Sequence, residues 1–239
     1  MRFFLLLLTI FPMTIDAQQT VTFPSSDGLP ITADLYMQDK SLPFIILYHQ
    51  ANFSRGEYRE TAPKLMKLGY NCLAVDLRSG KEVNYVQNET AARAREKNLP
   101  VGYLDAEKDM LSAIDYVKKQ SKERIVIFGS SYSASLALKI GKNNQSVAAI
   151  IAFSPGEYFQ PQIILKPLLA KYDKPLFIAS TTTEYPFVKE MTSDIAPSLI
   201  TWFTPSKSGV HGSRALWQAS PESEQCWMTL LMFIKNLKK

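Results

Sequence analysis

Residues 124–142 of the 239-residue chain have the sequence RIVIFGSSYSASLALKIGK. The run from Arg124 to Phe128 is short and rich in branched apolar residues, which is typical of a buried β-strand, and it ends abruptly at Gly129. The residues from Ala134 to Lys142 have the apolar spacing of an α-helix. The stretch therefore predicts a strand, a sharp turn and a helix, with Ser131 in the turn.

Strand and helix patterns alternate on both sides of this stretch, without repeats or low-complexity tracts. The other predicted strands are Val21 to Phe23, Ile31 to Tyr36, Pro43 to Tyr48, Asn71 to Leu77, Val147 to Phe153, Pro175 to Ser180 and Ser198 to Phe203. The other predicted helices are Tyr58 to Lys67, Asp105 (its N-cap) to Lys119, Pro161 to Lys171, Phe187 to Asp194 and Glu222 to Leu237. This alternation predicts an α/β fold, with a mostly parallel sheet covered on both faces and functional groups beyond the carboxyl ends of its strands.

The first 17 residues have the pattern of a secretory signal peptide. Arg2 is followed by an apolar run from Phe3 to Phe11 and then by a segment ending at Ala17. The run is shorter than the ~20 residues of a membrane-spanning helix. We therefore expect cleavage before Gln18, one domain over residues 18–239, a secreted or periplasmic protein, and no stable membrane anchor after cleavage.

Composition argues against several other classes of protein. The 27 basic and 22 acidic residues give a formal net charge of +5, and the lysines are scattered, so nucleic acid is not an expected partner. The only two cysteines, Cys72 and Cys226, lie in apolar runs and are expected to be buried free thiols. Without metal-ligand spacing or a glycine-rich phosphate loop, no metal or cofactor is expected. The sequence does not indicate which oligomeric state the protein adopts.

Ser131 is the candidate nucleophile. A serine hydroxyl needs a tight turn to present it and a base to remove its proton. Gly129 and Ser133, two positions before and after Ser131, are small enough for such a turn, although glycine is usual where Ser133 stands. A serine-rich helix cap without reactivity is the alternative interpretation.

The base and its acid partner come from a short set of candidates. The chain has two histidines, and His211 lies after the last predicted strand, as the order serine, acid, histidine requires. Glu184 follows the strand from Pro175 to Ser180 and is our choice of acid. Glu157 is its main rival, and Asp194 is a weaker one that we interpret as helical surface.

Two backbone N–H groups should stabilise the oxyanion, and we assign them to Tyr132 and Ala51. His49 precedes the serine, so we expect it to brace the loop that contains Ala51 rather than act as the base. The predicted substrate-contacting residues are Gln50, Tyr85 and Tyr158.

Taken together, these features resemble the α/β-hydrolase superfamily and, within it, the dienelactone hydrolase-like group, over essentially all of residues 18–239. The segments that carry the resemblance are Tyr48-His49-Gln50, Gly69-Tyr70, Val75-Asp76-Leu77-Arg78-Ser79-Gly80, the turn around Ser131 and His211-Gly212. The resemblance implies an α/β-hydrolase fold with a minimal lid.

The same resemblance implies a hydrolase acting on acyl groups. Dienelactone hydrolase itself uses a cysteine nucleophile, and this chain has serine at the matching place. We therefore expect a serine hydrolase that cleaves a small-molecule carboxylic ester through an acyl-enzyme intermediate. A secreted peptidase of the same fold and a catalytically silent binding protein are the alternatives, and Ser133 in place of glycine is the feature that keeps the second one open.

Overall fold

The computed structural model describes residues 18–237, so the predicted signal peptide, residues 1–17, lies outside the described residues. The strands of the described part are β1 (Gln19–Pro24), β2 (Pro30–Tyr36), β3 (Phe44–Tyr48), β4 (Asn71–Val75), β5 (Glu82–Val83), β6 (Val86–Gln87), β7 (Ile125–Ser130), β8 (Val147–Phe153), β9 (Leu176–Ala179) and β10 (Ile200–Phe203). Its α-helices are α1 (Thr61–Lys67), α2 (Glu89–Glu96), α3 (Glu107–Lys118), α4 (Tyr132–Asn143), α5 (Leu165–Leu169), α6 (Tyr185–Met191) and α7 (Ser223–Asn236).

Eight of these strands form the central sheet, in the order β1-β2-β4-β3-β7-β8-β9-β10. β2 runs antiparallel to both of its neighbours, β1 and β4. All other neighbouring strands are parallel. The predicted mostly parallel sheet is therefore confirmed, and the carboxyl ends of β3, β7, β8, β9 and β10 share one edge.

Both faces of the sheet are buried. Successive residues of a strand point to opposite faces, so buried neighbours in one strand belong to different cores. In β3, Ile46 packs into one apolar core and Leu47 into the other. The first core includes residues of α3, α4, α5 and α6, and the second includes residues of α1 and α7. Helices thus cover both faces, as the sequence predicts. Within residues 18–237, no helix combines the length and apolarity needed to cross a bilayer.

The ends of several predicted helices differ from the structure, and hydrogen bonds account for two of the differences. The helix predicted for Pro161 to Lys171 is reduced to α5, because the carboxylate of Glu157 accepts the backbone N–H groups of Leu165 and Lys166 and fixes its start. Asp105 is not the N-cap of α3, since its carboxylate accepts the N–H of Gly102 and α3 begins two residues later. The short α5 is all the helix between β8 and β9, in keeping with a minimal lid.

The polar segment from Arg78 to Gly102 contains a hairpin, β5–β6, and the helix α2, which the sequence did not predict. Asn88 caps α2 by accepting the N–H of Ala91 at 2.8 Å. α2 is charged, and Glu89 at its start pairs with the largely buried Arg55. Its buried face consists only of Thr90, Ala91 and Ala94, so ion pairs help to position it and apolar periodicity gives little sign of it.

Among residues 18–237, Arg78 has the largest side chain that is fully shielded from solvent. Its guanidinium pairs with Asp109 of α3 at 2.7 Å and with Asp27 of the β1–β2 turn at 2.8 Å. A buried carboxylate left without its partner is strongly unfavourable. Arg78 therefore joins the end of β4 to α3 and to the β1–β2 turn.

We predict that Arg78→Gln destabilises the fold by about 3–5 kcal/mol, because it leaves Asp109 buried without a countercharge. Urea unfolding at neutral pH measures the effect. Lys166→Gln is the control, since it breaks an exposed pair with Glu190 and should leave the urea midpoint almost unchanged. Equal urea midpoints for wild type and Arg78→Gln would contradict the assigned role of Arg78.

Candidate active site

Ser131 occupies a strained turn between β7 and α4. Its backbone has φ 59° and ψ −125°, a conformation that residues with a side chain rarely adopt. A Cβ added to Gly129 would lie 2.4 Å from the Cα of Ala134, so only glycine fits where the helix folds back on the strand. The N–H of Ser131 donates to the carbonyl of Phe153 at 2.8 Å, which fixes the turn to the end of β8.

Ser133, the departure from the usual glycine, is integrated into the turn. Its hydroxyl donates to the carbonyl of Tyr48 at 2.7 Å and accepts the N–H of Ser130 at 2.9 Å. These bonds tie the turn to the end of β3. Ser133 is therefore buried, and its hydroxyl is fully hydrogen-bonded, so the turn accommodates it in place of glycine.

The loop that carries His211 is attached directly beside the turn. The N–H of Ser213 donates to Ser130 Oγ at 2.9 Å, and the N–H of Gly212 donates to Ser154 Oγ at 3.0 Å. Gly212 has φ 72°, and a Cβ there would lie 2.6 Å from Ser130 Oγ. His211 is thus held on a loop in van der Waals contact with the residue before Ser131.

Glu184 is the carboxylate that the structure brings to His211. The Nδ1–H of His211 donates to Glu184 Oε1 at 2.5 Å, which leaves Nε2 as the proton acceptor of the ring. The other carboxylate oxygen accepts Ser154 Oγ at 2.7 Å and the N–H of Thr181 at 2.9 Å. Partial burial raises the pKa of Glu184, but the hydrogen bonds from His211, Thr181 and Ser154 outweigh it and lower that pKa to about 2.

The rival acids lie elsewhere. Both oxygens of Glu157 are occupied by backbone N–H groups at the start of α5. Asp194 is exposed in the segment after α6. Ser131 and His211 are not hydrogen-bonded to each other in the described part of the chain, and such contacts often tighten only when substrate binds.

The predicted oxyanion donors are the N–H groups of Tyr132 and Ala51, and their surroundings differ from those of the neighbouring Gln50 N–H. Tyr132 is the first residue of α4, so its N–H has no acceptor within the helix. In the loop after β3, the N–H of Gln50 is taken by the carboxylate of Glu57 at 2.8 Å. The carbonyl of Gln50 accepts His49 Nδ1–H at 2.8 Å, and the N–H of Ala51 points the opposite way because the peptide unit is planar and trans.

His49 is fully buried and braces this loop, as the sequence predicts. Its Nδ1–H bonds the carbonyl of Gln50, and its Nε2 accepts the N–H of Leu77 at 2.8 Å. Burial lowers the pKa of His49 to about 4, against the opposing effect of these two bonds. Both ring nitrogens are engaged and the ring is neutral, so His49 is not available as a base.

The predicted substrate-contacting residues have different positions. Tyr158 is 38% exposed, and its hydroxyl donates to the carbonyl of Ser154 and interacts with the hydroxyl of Ser131. Gln50 is buried, with its side-chain oxygen against Gly212 and without a hydrogen-bond partner among the described residues. Tyr85 lies at the tip of the β5–β6 hairpin, 96% exposed. No hydrogen bond or ring contact joins it to Ser131, His211 or Tyr158 in the described part of the chain.

Tyr103 is a further aromatic residue beside the site. It is 40% exposed, and its ring stacks on Tyr132 with centroids 4.5 Å apart. Tyr103 therefore presents an aromatic surface next to the first residue of α4.

Sequence reasoning also missed the hydroxyl and carboxyl groups that connect the loops, notably Ser154, Ser130 and Glu57. Ser154 directly follows β8, and its position at the carboxyl end of a buried strand was the available signal. Nothing in the local pattern marks Glu57 as buried. Within residues 18–237, no group of three or more His, Cys, Asp or Glu side chains is arranged to hold a metal ion.

Solved structures share this fold. An esterase of Pyrococcus furiosus has a TM-score of 0.66 and 18% identity, with 92% of each chain covered. A hyperthermophilic esterase from Pyrobaculum calidifontis has a TM-score of 0.63 and 15% identity, covering 93% of this chain and 84% of that one. An acylaminoacyl peptidase of Pyrococcus horikoshii has a TM-score of 0.66 and 17% identity, covering 91% of this chain and 41% of the peptidase.

No curated protein sequence matches the chain. A family model does match it, over residues 31–201, and that model describes the dienelactone hydrolase family. The match begins within β2 and ends within β10, and it includes the turn at Ser131 and Glu184. The chain therefore has the α/β-hydrolase fold, and it belongs to the dienelactone hydrolase family.

Proposed function

We propose that the protein is a serine hydrolase that cleaves carboxylic esters of small molecules through an acyl-enzyme. Ser131 is the nucleophile, His211 the general base and Glu184 the acid that orients His211. The observation that carries this proposal is the 2.5 Å hydrogen bond between His211 and Glu184, on a loop bonded to the residue before Ser131. The membership of the dienelactone hydrolase family and the fold shared with esterases support the same reaction class.

In the proposed reaction, Nε2 of His211 takes the proton of Ser131 as Oγ attacks the ester carbonyl carbon. The N–H groups of Ala51 and Tyr132 stabilise the negative oxygen of the tetrahedral intermediate. His211 then gives its proton to the departing alcohol, which leaves the acyl group on Ser131. Water, deprotonated by His211, attacks this acyl-enzyme and releases the carboxylic acid and the free serine. Glu184 stays ionised throughout and stabilises the imidazolium.

The cysteines support a serine rather than a thiol nucleophile. Cys72 in β4 and Cys226 in α7 are buried and unpaired, as the sequence predicts. Burial raises the pKa of the Cys72 thiol, and it raises the pKa of Cys226 to about 12. A thiol reacts as its thiolate, so neither group is an effective nucleophile at neutral pH.

No observation favours the two alternatives. The likeness to the acylaminoacyl peptidase is a likeness of fold, and the chain corresponds to 41% of that protein. Ser133, the feature that kept a silent binding protein open, is accommodated in the turn by its own hydrogen bonds. We also propose, on the sequence pattern of residues 1–17 alone, that the protein is exported and cleaved before Gln18.

Ser131→Ala should abolish labelling by a fluorophosphonate probe and lower the kcat for p-nitrophenyl esters by at least about 10⁴-fold, because it removes the nucleophile. Labelling is read by intact mass, and hydrolysis by release of p-nitrophenolate. Ser112→Ala, which removes a hydroxyl on α3, is the control and should behave as wild type.

Absence of an adduct on the wild type, or an equal adduct on Ser131→Ala, would refute the serine mechanism. A panel of p-nitrophenyl esters, lactones and aminoacyl amides then tests the substrate class. Turnover of the amides alone would argue against an esterase.

Glu184→Gln should lower kcat/KM by about 10²–10⁴-fold, since the amide no longer holds the Nδ1–H tautomer of His211. Glu157→Gln is the matched comparison and should retain activity close to wild type, because Glu157 bonds only the start of α5. Steady-state kinetics on one p-nitrophenyl ester decide between them. The reverse pattern would make Glu157 the catalytic acid.

Glu184→Gln should also flatten the pH dependence of stability. The pKa of Glu184 is lowered from 4.5 to about 2 in the folded chain, so the folded state binds fewer protons than the unfolded state at acidic pH. Its stabilising contribution is complete above about pH 4.5 and is lost as the pH falls towards 2. Urea midpoints between pH 5 and 3 should therefore fall more steeply for wild type than for Glu184→Gln, and parallel slopes would contradict the lowered pKa.

A further inference from the structure

Glu57 is a fully buried carboxylate that lies outside the proposed triad. It belongs to a short 3-10 segment, Arg55–Tyr58, between β3 and α1. One carboxylate oxygen accepts the N–H of Gln50 at 2.8 Å, and the other accepts Ser213 Oγ at 2.5 Å. The hydroxyl of Ser130 interacts with this carboxylate electrostatically, and it is tied to Ser213, whose N–H donates to it at 2.9 Å.

These three partners come from the three parts of the site that must be aligned. Gln50 immediately precedes the proposed oxyanion donor Ala51. Ser130 immediately precedes the proposed nucleophile. Ser213 lies two residues after His211, and its N–H is also bonded to Ser130.

The backbone of Glu57 is itself anchored. Its carbonyl accepts the indole N–H of Trp217 at 3.0 Å, which links the 3-10 segment to the chain beyond the His211 loop. The carboxylate therefore cannot shift freely relative to its partners. Removing it would leave the N–H of Gln50 and the hydroxyl of Ser213 buried without their common acceptor, and the two loops would no longer be bonded to one group.

We propose that Glu57 is a positioning residue for catalysis, because its buried carboxylate sets the oxyanion loop, the nucleophile turn and the His211 loop in register with one another. This inference rests on the proposed serine hydrolase function. Glu57 touches neither substrate nor the reacting atoms, so it acts through Gln50, Ser130 and Ser213. Its loss should affect stabilisation of the transition state more than binding of the ester.

Four variants test the proposal: Glu57→Ala, Glu57→Gln, Ser213→Ala and, as a matched control, Glu60→Ala. Glu60 lies three residues further along the chain, just before α1, where it is exposed and its carboxylate accepts the N–H of Gln218. Each variant is titrated to completion with the fluorophosphonate probe, and kcat for a p-nitrophenyl ester is expressed per labelled site. This normalisation separates loss of folded protein from loss of catalytic power.

Glu57→Ala should lower kcat per labelled site by about 10²-fold, the scale of a small misplacement of catalytic groups, with KM near the wild-type value. Glu57→Gln should lose less, because its amide oxygen can still accept the N–H of Gln50 and its amide nitrogen can donate to Ser213 Oγ. Glu60→Ala should behave as wild type. Should Glu57→Ala fail to fold, Ser213→Ala provides the same test, with lower kcat per labelled site and unchanged KM.

Two negative outcomes are distinguishable. If the wild type is neither labelled nor active, the proposed function fails and the inference fails with it. If the wild type is active through Ser131 but Glu57→Ala and Ser213→Ala keep the wild-type kcat per labelled site, the inference alone is wrong and Glu57 has only a structural role.

Discussion

The close packing of β7 against α4 is the constraint on which the site depends. The chain reverses so tightly after Gly129 that a single Cβ there would overlap Ala134, and Ser131 is forced into a backbone conformation with positive φ. This strain is tolerated because the turn is bonded to its neighbours, through Ser133 to the end of β3 and through the N–H of Ser131 to the end of β8. The turn thus sits at the carboxyl edge of the parallel sheet, where the loops after β3, β9 and β10 also converge.

Short polar side chains align those loops on the turn. Ser130 and Ser154 accept two consecutive N–H groups of the segment after His211, and Ser154 also donates to Glu184. The charge states of Glu184 and His49 follow from their surroundings. Glu184 is an ionised acceptor for His211, whereas burial keeps His49 neutral and confined to bracing the oxyanion loop.

The sequence predicted the elements whose signals are local. The strand, turn and helix around Ser131 follow from hydrophobic periodicity and from one glycine, and the alternation of strands and helices predicts the mostly parallel sheet that brings the carboxyl ends together. The choice between Glu184 and Glu157 was not local, because each follows a predicted strand and only the fold determines which one reaches His211. Glu57 could not be found in this way, since its partner Ser213 lies 156 residues away in the chain. The helix α2 was missed because its segment is mostly charged, its buried face consists only of Thr90, Ala91 and Ala94, and ion pairs hold its start. The roles of Ser131, His211, Glu184, Ala51 and Tyr132 stay predictions about chemistry.

Trapping the acyl-enzyme tests the central claim most directly. The protein is mixed with excess p-nitrophenyl ester, quenched in acid during turnover, digested and analysed by mass spectrometry, while the release of p-nitrophenolate is followed in the first turnover. The account predicts a burst stoichiometric with protein and an acyl group on the peptide that contains Ser131. Ester turnover with no acylated residue, or with the acyl group on a residue other than Ser131, would contradict it.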